Sequence, residues 1–150
     1  MITAQEIVDT VVVRNLDTGN FKDVDIEISG KKIKRLLGSE LWQELDEGDH
    51  EGFLNDYVKK ALAYTVFYDN FEELRTEITD RGINNFTGEG YSMATEEKIR
   101  KLKISIALKR DMFIGEMVAY AKKEIDSFKP EATHPGIISL TGEPKRVNHL

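Results

Sequence analysis

The chain has no cysteine, so disulfides, thiolate metal ligands and a cysteine nucleophile are excluded, and nothing in it depends on an oxidising compartment. No run approaches the roughly 18 apolar residues of a membrane span. Met1 to Glu6 carries neither a basic nor an apolar leader segment, so the expectation is a soluble, unexported protein that does not engage membranes. Cationic excess is also missing: the formal charge is -6, which opposes the counterion-releasing grip that nonspecific nucleic-acid binding requires.

The residue types of catalysis are equally thin. Gly-x-Ser-x-Gly does not occur, and His50, His134 and His149 all fall in expected loops or the tail, outside any inferred apolar pocket. Glu47-Gly48-Asp49-His50 has the Glu-x-x-His spacing of di-iron bundles. It is interrupted by glycine, so it reads as a solvated acidic turn. Gly88-Glu89-Gly90 lacks the preceding strand and following Gly-Lys-Ser/Thr of a phosphate cradle, and Glu89 would repel phosphate. The expectation is therefore no enzyme, no cofactor and no metal.

At 150 residues, 40% of them hydrophobic and 32% charged, the chain fits one helix-rich domain with some apolar surface left for partners. Thr3 and Glu6 form a capping-box pattern opening a helix over about 4–15, although Val11-Val12-Val13 would also suit a strand. Asp23 is placed to cap a second helix with Ile26, Gly30, Ile33 and Leu37 along one face. Gly30 there suggests a close helix crossing. Gly38 ends it, and Ser39 is placed to cap a short helix holding Leu41, Trp42 and Leu45.

A third main helix over about 53–78 is uncharged from Ala61 to Tyr68, which marks it as the centre of the core. Thr95 is placed to cap a final helix that begins with Glu96 and Glu97, carries Lys122 and Lys123 near its end and runs to Pro130. A helix of that length would overhang a globule of this size and reach a partner subunit. Lys98, Arg100, Lys101, Lys103, Lys109 and Arg110 make it basic near its start, either a solvent face or a seam against an acidic neighbour.

The fold expected is all-α: a helical bundle with one very long C-terminal helix, a long inter-helix loop over 79–94, and an extended C-terminal arm. The domain would span 1–129 and the arm 130–150. The loop is longer than helix packing demands and carries Gly82, Gly88 and Gly90 with Phe86 and Tyr91, which points to recognition. The arm holds one apolar cluster, Ile137, Ile138 and Leu140, and is either a frayed tail or an arm that docks on a neighbouring subunit as an added strand or in a groove.

The order of elements over about 20–125 resembles the head-to-tail connector (adaptor, or head-completion) proteins of tailed bacteriophages. The similarity is to the helical type of Bacteroidetes phages, including crAss-like podoviruses. It is carried by Asn20 to Ile26 entering a helix and by Ile33 to Leu45, with its Leu37-Gly38 ending and Leu41-Trp42 pair. Tyr57 to Tyr64, the Thr79-Asp80-Arg81-Gly82-Ile83 turn, and Ser92 to Glu97 complete it.

The resemblance implies a virion protein of the neck, assembled in the host cytoplasm as a dodecameric ring. The ring would join portal to tail and extend the DNA channel, with DNA passing and not specifically bound. Its implied partners are copies of itself, the portal protein and neighbouring tail or ring proteins. Arg81, Asn84, Asn85, Phe86 and Tyr91 would meet the portal or the next ring, with Phe86 and Tyr91 as anchors. The alternative is a helical interaction module or regulator that binds a partner through the 79–94 loop.

Overall fold

The computed structural model of the chain describes residues 1–11, 16–78 and 89–132, with side chains described outside 76–78 and 89–95. Among them there are helices and their connections and no strand. Helix α1, Ala4–Val11, opens on the expected capping box: the Glu6 N–H donates to Thr3 Oγ1 at 3.2 Å and the Thr3 N–H to Glu6 Oε2 at 2.8 Å. Residues 12–15, which hold most of the valine run, lie outside the described set. A short 3-10 turn, Thr18–Asn20, is capped by Asp17, whose carboxylate accepts from the Gly19 N–H at 2.9 Å.

Helix α2, Asp23–Leu37, buries Ser29, Gly30, Ile33, Leu36 and Leu37. Its cap position is Lys22 rather than Asp23, and no side chain caps it. Asp23 and Asp25 instead occupy the first turn, where their charge complements the macrodipole. Helix α3, Ser39–Asp46, likewise takes Gly38 and not Ser39 at its cap position. The Ser39 hydroxyl is drawn away to donate to Glu131 Oε1 at 2.7 Å.

The expected third helix is broken into pieces. Helix α4, Glu51–Phe53, passes through a π-helical turn, Leu54–Val58, into α5, Lys59–Asp69, and Asn70 separates α5 from α6, Phe71–Ile78. The Asn70 amide donates to the Val66 carbonyl at 2.8 Å, competing for a ladder acceptor where the helix turns. Helix α5 is the core. Every residue from Ala61 to Phe67 is buried, and α1, α2 and α7 pack around it. Each large apolar side chain taken from water there stabilises the fold by about 1.5–3 kcal/mol. Phe67 meets the Phe21 ring edge-on at 6.3 Å, and Tyr64 lies 5.3 Å from Phe113 of α7.

Helix α7 spans Glu89–Glu124. It begins earlier than Thr95, which is an interior residue. Glu89, Met93 and Ala94 are good helix formers that offset Gly90, so 89–94 belong to the helix and not to a loop. It also ends before Pro130: Ile125 to Phe128 form a turn in which Ser127 Oγ donates to Glu44 Oε2 of α3 at 2.6 Å. The chain then crosses the end of α2, where Lys129 N–H donates to Leu37 O (3.2 Å) and Glu131 N–H to Arg35 O (2.8 Å). Ala132 N–H adds a second bond to Arg35 O at 3.1 Å. These bonds satisfy carbonyls that a helix end leaves without partners.

Candidate interaction surfaces

Three features of the described surface offer themselves to partners. The first is a groove of about 430 Å³ between the N-terminal residues, α2 and α3. Ile2, Ile26, Leu62, Gly30 and the half-buried Trp42 supply its apolar wall. Asp23, Glu27, Asp46, Lys31 and Lys34 give it a rim of both signs. A Cβ on Gly30 would meet the Trp42 ring at 3.9 Å, ordinary contact, so Gly30 faces an aromatic side chain in the groove and not a closely crossing helix.

The second feature is apolar side chain left in water on two helices. Val24 and Ile28 lie one turn apart on α2, and Ile104, Leu108 and Met112 recur every four residues on α7. Large exposed apolar residues grouped on one face mark contact surfaces more often than single ones do. Ile104, Leu108 and Met112 lie outside the residues that the sequence pattern marks for contact. Their spacing of four was the available signal, obscured because α7 carries apolar residues on both faces.

The third feature is charge. The basic start of α7 is partly engaged by acidic side chains of the same chain. Lys103 Nζ lies 2.7 Å from Glu72 of α6, Arg100 pairs with Glu97 at 2.6 Å, Arg110 with Asp111 at 2.9 Å, and Arg75 reaches Glu96. The hydrogen bond with Lys103 holds the Glu72 carboxyl below its ordinary range and raises the lysine above its own. Arg110 also stacks over the Tyr68 ring at 4.1 Å. Lys103–Glu72 and Arg75–Glu96 join α6 to α7, whereas Arg100–Glu97 and Arg110–Asp111 lie within α7.

His50 has a left-handed backbone, φ 55°, and its Nε2 lies 2.8 Å from Glu44 Oε2, so its partner is Glu44 and not Glu47. Hydrogen bonding from Ser127 first, then from His50, keeps the Glu44 carboxyl below the usual carboxylate range. Ser29 is fully buried and donates to Asp69 Oδ2 at 2.8 Å, an oxygen that also receives Lys32 Nζ at 3.0 Å. These clusters tie elements together. Among the described residues no group of three or more His, Asp or Glu side chains is placed to hold a metal ion, and no helix is long and apolar enough to cross a membrane.

Arg81, Asn84, Asn85 and Phe86 lie outside the described residues, as do Ile137, Ile138 and Leu140. Tyr91 falls within α7, its side chain likewise outside them.

These surfaces belong to an all-helical protein with apolar side chains exposed on two helices. Residues 29–135 match the model of DUF6712, a family of unknown function, and the chain belongs to that family. The match runs from the buried Ser29 of α2 past the end of α7. No curated protein and no solved structure matches the chain.

Proposed function

We propose that this protein is a structural component of a tailed-phage virion, forming a ring in the neck that joins portal to tail and extends the DNA channel. The observation that carries the reading is the presence of exposed apolar side chains on two different helices of one body: Val24 and Ile28 on α2, and Ile104, Leu108 and Met112 on α7. A ring of identical subunits is closed by heterologous contacts, in which each copy offers one face to each neighbour, and two such faces suit that role. Helix α7 adds support. Its 36 residues extend about 54 Å, against a radius of gyration of about 15 Å for a chain of this length, a reach suited to contact with another subunit.

A net charge of -6 suits a conduit that DNA must traverse without being gripped. The 79–94 segment, with Arg81, Asn84, Asn85, Phe86 and Tyr91, is assigned to the portal or the adjoining ring, and Ile137, Ile138 and Leu140 to a neighbouring copy. Their support is the sequence pattern and the connector resemblance.

Mixing the purified chain with its portal protein tests the proposal by mass photometry. Ring-sized assemblies on the portal are expected, and a monomer that leaves the portal bare would contradict it. The Trp42 groove favours a second reading, a helical interaction module or regulator, because a 430 Å³ cleft with an aromatic wall suits an apolar side chain of a short peptide.

A further inference from the structure

The outer face of α7 carries a pattern complementary to its own reverse. Ile104, Leu108 and Met112 are 45%, 65% and 46% exposed, while Ile106, Ile114 and Met117 are buried in the core. Residues four apart form a continuous ridge on a helix surface. One further step places exposed Arg100 at the N-terminal end of this ridge and exposed Glu116 at the other. The ridge is thus cationic at one end, apolar in the middle and anionic at the far end.

Turned about Leu108, the ridge matches itself. Ile104 falls opposite Met112, Leu108 opposite Leu108, and Arg100 opposite Glu116. We propose that α7 pairs antiparallel with α7 of a second copy about a two-fold axis through Leu108. The two ridges would face each other and run parallel, which requires the helices to cross at about -50° because each i±4n row is inclined by about 26° to its own axis. A parallel pairing would set Arg100 against Arg100 and Glu116 against Glu116, so charge selects the antiparallel form. The Arg100–Glu97 pair, 61% and 48% exposed, is a surface contact of small worth and does not hold Arg100 back from Glu116 of the partner.

From Arg100 to Glu116 the helix rises about 24 Å, which places this contact at the small end of interface sizes. The pairing is accordingly a weak dimer, formed at high protein concentration. It does not rest on the connector reading. A two-fold contact closes after two copies, whereas a ring needs heterologous ones, so the dimer is the form that shields the ridge outside a larger assembly.

The absence of cysteine permits a direct test, because Leu108→Cys puts a single thiol of each copy on the axis. Under mild oxidation at high protein concentration, Leu108→Cys should form covalent dimers about tenfold faster than Ile104→Cys, Met112→Cys or the control Val24→Cys. Mixing the Ile104→Cys and Met112→Cys chains should yield cross-linked dimers faster than either alone. In sedimentation, Arg100→Glu or Glu116→Arg should each weaken association about threefold, and the double reversal should restore it.

Equal cross-linking at all four positions, or a double reversal no better than the single changes, would overturn the pairing. Ring assembly on the portal together with equal cross-linking would sink the pairing and leave the connector reading standing. A Leu108-linked dimer that never engages portal would do the reverse.

Discussion

A Cβ atom at Gly38 would stand 2.1 Å from the carbonyl oxygen of Lys129, so the corner between α2 and α3 is closed by chain arriving from beyond α7. Gly38 has φ 95° and ψ 153°, backbone territory that side-chain-bearing residues essentially avoid. Gly38→Ala therefore faces strain and collision together. We expect a loss of about 3 kcal/mol or more, read by urea denaturation, with the C-terminal crossing released from the end of α2.

Gly30→Ala should go the other way. Gly30 is helical and its added methyl would touch only the Trp42 ring at 3.9 Å. A gain of about 0.5–1 kcal/mol is expected from helix propensity, measured as a higher thermal midpoint.

The buried Ser29 hydroxyl donates to the Asp69 side chain. Ser29→Ala should cost about 1–2 kcal/mol. In a double-mutant cycle with Asp69→Ala, the two losses should fall short of additive, because each change removes the same bond. Additive losses would show that the bond contributes little.

Glu44 ties α3 to the turn after α7 through Ser127 and to the acidic turn through His50. Its folded-state pKa is depressed, by the Ser127 bond first. Above the ordinary glutamate pKa of about 4.3 its stabilising contribution is complete, and it fades as pH falls through the lower folded value. Between roughly pH 5 and 3, thermal midpoints should fall less steeply for Glu44→Gln than for the wild-type chain. Parallel curves would remove Glu44 from the acid response.

Much of the core was legible because periodicity and charge reveal it. The uncharged run from Ala61 to Tyr68 became the buried centre of α5 through Phe67, and the Thr3–Glu6 capping box is present as drawn. Local pattern failed wherever a distant residue took over. Ser39 gives up capping for Glu131, and α7 stops short of Pro130 where Ser127 turns to Glu44; neither partner is near in sequence. The π-turn at Leu54–Val58 left no compositional mark, although it lies where Phe53 and Tyr57 stack on Tyr120 of α7, at 5.4 and 4.6 Å. Of the surfaces, Trp42 and Gly30 were visible as residues but not as a shared groove. The α7 ridge was hidden by the buried apolar face behind it.

Electron cryomicroscopy of particles made from a genome carrying this sequence tests most directly the proposal that the chain is a building block of the virion neck. A rotationally symmetric collar between head and tail is expected, into which α2, α5 and α7 fit as described. Particles in which no density in the neck accommodates the chain, with the protein recovered only from the soluble lysate, would contradict it.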